Sequence, residues 1–139
     1  MKEILVDANV LVSFLTNRNE EQRQKASALF RASVAREHTL VLHTMVIVEM
    51  VFVLLQIYKV APDEVAENVK ELLAMPGVIP VEEVTWSLVL ERWPHTISSF
   101  GDAIVAAVAA QGRYHAVATF DKPLRKKLVK QGSVSYWSD

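Results

Sequence analysis

Apolar residues come in short runs along this chain, and polar residues mark where each run stops. Ile4, Leu5 and Val6 form the first run, and it ends at Asp7. A short, partly β-branched run predicts a buried strand over residues 3–6. After a turn at 7–9, Val10, Leu11, Phe14 and Leu15 recur at helical spacing. In "NEEQRQKASALFRASVARE" (19–37), Ala26, Leu29, Phe30 and Val34 share one stripe with charges opposite, which predicts an amphipathic helix. Residues 40–42, "LVL", read as a second strand. Residues 45–58 read as an almost wholly apolar, buried helix whose only clearly polar members are Glu49 and Gln56.

The same alternation continues. Pro62 stands in the first-turn position that proline favours, opening a helix that Pro76-Gly77 ends. "VIPV" (78–81) predicts a strand, and 84–93 a helix stopped by Pro94. "FGDAIVAAVAAQG" (100–112) predicts a small-residue helix closed by Gly112. A strand at 115–120, a basic helix at 122–132 and a last strand "VSYW" at 134–137 complete the chain. Strands alternating with helices imply a parallel sheet covered on both faces, a three-layer α/β/α sandwich. There is no internal repeat, low-complexity tract or linker, and 139 residues fit a single domain over 1–139.

Composition narrows the partners and compartments. Hydrophobic residues make up 51%, enough for a packed core. A net charge of −1 argues neither for nor against nucleic acid. The absence of cysteine rules out disulfides and thiolate metal sites and fits a reducing cytoplasm. The first residues lack a basic segment leading into a long apolar one, so no secretory signal is expected. "MVIVEMVFVLL" (45–55) holds Glu49 and falls short of the roughly 20 apolar residues a membrane span needs.

Four acids stand out because apolar residues surround them. Asp7 ends the first strand, and Asp121 follows the "VATF" strand. Glu49 and Asp102 lie near the starts of their helices. In an open parallel sheet, ligands bind outside the carboxyl ends of the strands, so these four can converge on one edge. Each also has a plainer reading. Asp7 and Asp121 suit helix caps or turns, and Asp102 suits a helix N-terminus. A Glu49 buried among Met, Val, Ile and Phe needs a proton or a cation.

Four acids at one edge would repel unless a cation sat among them. Oxygen ligands without Cys or suitably spaced His point to Mg²⁺ or Mn²⁺. A divalent ion in an acidic pocket reverses the local field and can hold a phosphodiester. Lys122, Arg125, Lys126, Lys127 and Lys130 follow Asp121 with no acid among them. They suit either phosphate contacts flanking a cut, with Lys122, Arg125 and Lys126 nearest, or a solvated helix face. His38, His43, His95 and His115 are read as surface or packing residues.

The contexts "ILVDANVLV", "VIVEMVFVL", "SFGDAIVAAVA" and "VATFDKPLRK" resemble, in order, the four acidic motifs of PIN domains. The chain is most similar to the VapC-type toxin ribonucleases of prokaryotic toxin–antitoxin pairs, over nearly its whole length. The resemblance implies a central parallel sheet of about five strands and a Mg²⁺- or Mn²⁺-dependent endoribonuclease acting on RNA. It makes Asp7, Glu49, Asp102 and Asp121 the acidic cluster, with Asp7 and Asp102 the most direct metal ligands. Asn9 and Thr119 match its supporting polar positions. It further implies a homodimer and a cognate antitoxin that blocks the acidic groove. Gly101 before Asp102 is a local departure, and the segment 91–100 matches no motif. Other readings are a PIN nuclease in RNA processing or decay, a non-catalytic PIN-like binding module, and an α/β phosphotransfer domain, which Lys122 and Thr119 faintly suit but Glu49 and Asp102 do not.

Overall fold

A computed structural model describes residues 1–138. Strand β1 (Lys2–Val6) carries the first apolar run, and Ile4, Leu5 and Val6 are each at most 1% exposed. Successive strand side chains point to opposite faces, so burial of three in a row requires cover on both. The three-layer expectation holds for that reason.

Two helices follow, α1 (Ala8–Leu15) and α2 (Glu20–Val34), before β2 (His38–His43) pairs with β1 in parallel. Helices α3 (Thr44–Gln56) and α4 (Pro62–Ala74) lead to β3 (Val78–Val81), which pairs with β2. Helices α5 (Trp86–Arg92) and α6 (Phe100–Gly112) then return the chain to β4 (Ala116–Ala118), on the other side of β1. Helix α7 (Lys122–Lys130) follows. The order β3-β2-β1-β4 reverses direction between β1 and β4. A crevice opens at such a reversal, outside the carboxyl ends of the two strands.

Among the described residues the sheet has four strands rather than five. Residues 134–137 meet β4 through one bridge, Val117 with Ser135. Val117 N–H donates to Val134 O at 2.8 Å, and Tyr136 N–H donates to Val117 O at 2.9 Å. Beyond that bridge the aromatic rings take over. Trp137 stacks on Phe120 at 4.5 Å, and Tyr136 meets His38 edge-on at 5.5 Å. A three-residue β4 has little ladder to extend, so ring packing decides where this segment goes.

The helix buried through its middle is α6, not α3. Every residue from Ala103 to Ala109 is buried, and α5, α3 and α7 pack against it. Its small side chains let neighbours approach on all sides. Helix α3 buries only Val46, Met50 and Leu54, while Met45, Val48 and Phe52 stay exposed. Gly112 does not close α6 by leaving it. It is the last helical residue, and Arg113 takes the left-handed conformation at φ 53°. A Cβ on Gly112 would run into the Tyr114 ring, so close packing explains the glycine. His43 bears out its structural reading: it caps α3 by accepting from Met45 N–H at Nδ1, and its Nε2 lies 3.0 Å from Glu83 O.

Enlarging α6 should be felt at once. Ala107→Leu is expected to lower unfolding stability by about 1–3 kcal/mol, seen as a lower urea midpoint with an unchanged slope.

Candidate functional site

The site grows from the end of β1. Asp7 is 3% exposed and caps α1, its Oδ1 accepting from Ala8 N–H at 2.8 Å. Its Oδ2 accepts from the Thr119 hydroxyl at 2.8 Å and from Asn9 Nδ2 at 3.1 Å. Thr119 lies just past β4, across the strand reversal, and is fully buried. Thr119 Oγ1 in turn accepts from Asp121 N–H and from Asn9 Nδ2, both at 3.1 Å. Asn9 Oδ1 accepts from Phe120 N–H at 3.0 Å. Every side-chain polar atom of Asn9 and Thr119 is therefore engaged in tying the start of α1 to the turn after β4. The cap reading of Asp7 holds, and the capping carboxylate stands at the strand reversal.

Asp121 caps α7 through Oδ1, which accepts from Leu124 N–H at 3.1 Å. Asp102 sits half-buried in the first turn of α6, its N–H donating to the capping Ser99 hydroxyl at 3.3 Å. Glu49 is not buried as its apolar sequence neighbours suggest. It lies on the exposed face of α3 and lines an apolar cavity of about 220 Å³ with Met45, Val48, Phe52 and Gly101. A Cβ on Gly101 would stand 3.0 Å from Glu49 Oε1. The glycine is what lets the Glu49 carboxylate approach the start of α6.

Electrostatics link the four acids. Burial pushes the Asp7 carboxyl up from its ordinary 3.8 to about 6; hydrogen bonds from Thr119 and Ala8 oppose the rise, and Glu49 and Asp121 add to it. Asp102 is likewise pushed up to about 6, first by burial, then by the charges of Asp7 and Asp121, with Lys127 opposing. Crowding around the Glu49 carboxyl raises it too, followed by the charge of Asp102, although its side chain reaches solvent. Among the described residues the ion pairs are Arg23 with Glu20 and Lys25 with Glu21, and neither involves these acids. No three His, Cys, Asp or Glu side chains of the described residues stand close enough, as placed, to share an ion. The donors nonetheless fit one: hard oxygens, mutually repelling, with no lysine or arginine bridging them.

The basic helix divides. Lys122 and Lys126 are exposed, whereas Arg125 is 9% exposed and packed inward. Lys127 Nζ donates to Thr96 O at 2.7 Å, anchoring the segment that matched no motif. His95 in that segment is exposed. Sequence reasoning missed Arg18, Asn19, Gln22 and Tyr58, which line a cavity of about 510 Å³ with Asn9 and Asp121. Arg18 is held there by bonds to Ser13 Oγ at 3.0 Å and Asn9 O at 3.1 Å. In the sequence it is one cation in a polar turn, and nothing local marks it.

The raised Asp7 carboxyl gives a signed pH effect. Between about 3.8 and 6 the folded chain holds a proton that the unfolded chain releases, so stability falls as pH rises through that window and levels above it. In EDTA, wild type is expected to lose about 2 kcal/mol relative to Asp7→Asn between pH 4 and pH 7.5, read from urea unfolding. Parallel pH curves for the two proteins would show that Asp7 titrates normally.

Comparisons with known proteins identify the fold. The family model described as "PIN domain" matches residues 4–128. Among solved structures, Mycobacterium tuberculosis VapC20, described as a sarcin-ricin loop cleaving toxin, is 17% identical with a TM-score of 0.69, covering 97% of this chain and 99% of that one. PAE2754 from Pyrobaculum aerophilum is 21% identical with a TM-score of 0.67, covering 96% and 83%. VapBC2 from Rickettsia felis, bound to a DNA fragment from its promoter, is 12% identical with a TM-score of 0.66, covering 98% and 99%. At these identities the likeness is one of fold. No curated protein sequence matches the chain.

Proposed function

The chain belongs to the PIN domain family, and from that premise we propose that it is a divalent-metal-dependent endoribonuclease, the toxin of a toxin–antitoxin pair. The observation that carries this reading is the Asp7 carboxylate. It is buried at the strand reversal, fixed by Thr119, Asn9 and Ala8, and coupled to the charges of Glu49, Asp121 and Asp102, none of which forms an ion pair among the described residues. The likeness in fold to VapC20 and VapBC2 supports it.

In this reading Asp7 and Asp102 hold Mg²⁺ or Mn²⁺, with Glu49 and Asp121 completing the set. A bound divalent ion supplies Lewis acidity, offsetting phosphate charge and lowering the pKa of a coordinated water. The chain's own work is positioning. Asp7 is immobilised by three donors, so it meets a ligand without rearranging. Glu49 and Asp102 keep the rotamer freedom of partly exposed side chains and can close on one. Thr119 and Asn9 hold Asp7 and the turn leading to Asp121 in one network. Exposed Lys122 and Lys126 draw the RNA backbone toward the acids. Unpaired RNA is the suited substrate, because its bases and backbone are free to enter a crevice.

The whole chain, 1–139, acts as one domain in this account, in the cytoplasm. Among the described residues no helix is long and apolar enough to cross a membrane. A cognate antitoxin covers the acidic groove. A homodimer forms through the apolar face of α3, where Val48 is 52% and Phe52 61% exposed.

Purified protein is expected to cut single-stranded RNA with Mg²⁺ or Mn²⁺, and Asp7→Asn or EDTA is expected to lower the rate at least 100-fold. Induced expression should arrest growth, with Asp102→Asn relieving it. Cleavage that survives both EDTA and Asp7→Asn overturns the metal mechanism. Cleavage without arrest assigns the protein to RNA processing, and RNA binding without cleavage makes it a binding module. For the dimer, sedimentation should show twice the chain mass for wild type and a monomer for Phe52→Glu.

A further inference from the structure

Arg125 is a largely buried arginine whose Nε–H has no partner among the described residues. It is 9% exposed, its Nε is inaccessible and unbonded, and among the described residues its side chain makes no hydrogen bond or ion pair. An N–H shut off from water and left unbonded in this way is unfavourable unless an acceptor meets it. Arg125 lines a cavity of about 230 Å³ between the starts of α2 and α7, together with Gln22, Lys25, Phe120 and Lys122. The acid at its rim, Glu21, is exposed and lies 3.8 Å from Lys25 rather than against Arg125. Arg125, Lys122 and Lys25 therefore line one small space with a single acid, Glu21, which is paired with Lys25.

That space adjoins the acids. Asn19, Gln22 and Phe120 line both this cavity and the one holding Asn9 and Asp121. One continuous wall runs from Asp121, past Phe120, to Arg125.

We infer that the cavity around Arg125, Lys25 and Lys122 is a subsite for a phosphate of the RNA strand, set beside the phosphodiester to be cut. The inference rests on the endoribonuclease reading above and deepens it. The guanidinium gives a phosphate directional donors that a lysine lacks. Lys25 and Lys122 add charge from two different helices, which fixes the strand's path over the acids. Binding here places a neighbouring phosphodiester at Asp7 and Asp121 without asking the acids themselves to attract an anion.

The Nε–H signal of Arg125 in a ¹⁵N-correlated NMR spectrum reads this directly, assigned by its loss in Arg125→Lys. The full-length protein is titrated in EDTA at low salt with a single-stranded hexaribonucleotide and, separately, with inorganic phosphate. The hexaribonucleotide is expected to shift the signal. Arg125→Gln should weaken RNA binding roughly tenfold, and its log–log salt slope should fall by about 0.7. A signal unmoved by saturating RNA overturns the subsite, whatever inorganic phosphate does. Cleavage with metal while the signal stays unmoved sinks the subsite and spares the nuclease. A shifted signal with no metal-dependent cleavage does the reverse.

Discussion

A carboxylate is held out of water at the one place where the sheet reverses direction, and much of the architecture serves that placement. Asp7 is anchored by a backbone N–H, a threonine hydroxyl and an asparagine amide. Those three donors come from both sides of the reversal, because Thr119 belongs to the turn after β4. The strand order β3-β2-β1-β4 makes β1 and β4 neighbours, and only that adjacency brings residues 112 positions apart into contact. A different order would take away the Thr119 hydroxyl and leave Asp7 buried with only its local donors, Ala8 N–H and Asn9 Nδ2. Its desolvation would then be less well compensated.

The same constraint reaches the helices. If β1 is covered on both faces, the helices flanking it must pack closely, and α6 does so with a wall of Ala, Val and Ile. A small-residue helix can sit deep and still present its first turn, with Asp102, at the edge of the site. Gly101 extends the logic by one residue. A side chain there would crowd Glu49, the acid that comes from a neighbouring helix. Packing and electrostatics are therefore not separate problems here: the smallest residues stand where acids must come near one another.

How much of this was legible in the sequence depended on whether the cause was local. Strand ends, proline starts and caps are local, so β1, α4 and the positions of Asp7 and Asp121 could be read directly. The last strand could not. Its β-branched and aromatic residues favour a strand, but the length of β4 and the pull of Phe120 and His38 on its rings are tertiary facts. Helix α3 misled for a related reason. Apolar residues all round suggested burial, whereas Met45, Val48, Glu49 and Phe52 share an exposed face. Arg125 was grouped with its lysine neighbours, as a phosphate contact or a solvated charge, and its burial beside Gln22 and Lys25 depends on where α2 ends up. In each case a residue's neighbours in sequence said less than its neighbours in space.

The separation of charge ties these points together. Lys127 stands near enough to oppose the rise at Asp102, and Arg18 reaches the backbone of Asn9, yet neither pairs with an acid of the site. A fold selected only for stability would close such pairs, since a carboxylate raised to about 6 is a group working against folding at neutral pH. Closing them would also occupy the oxygens and cancel the field that an external cation needs. With Asp121 on one side of Phe120 and Arg125 on the other, neither charge cancels the other. In the proposed reading each stays open to what comes from outside, a metal ion for the first and an anion for the second.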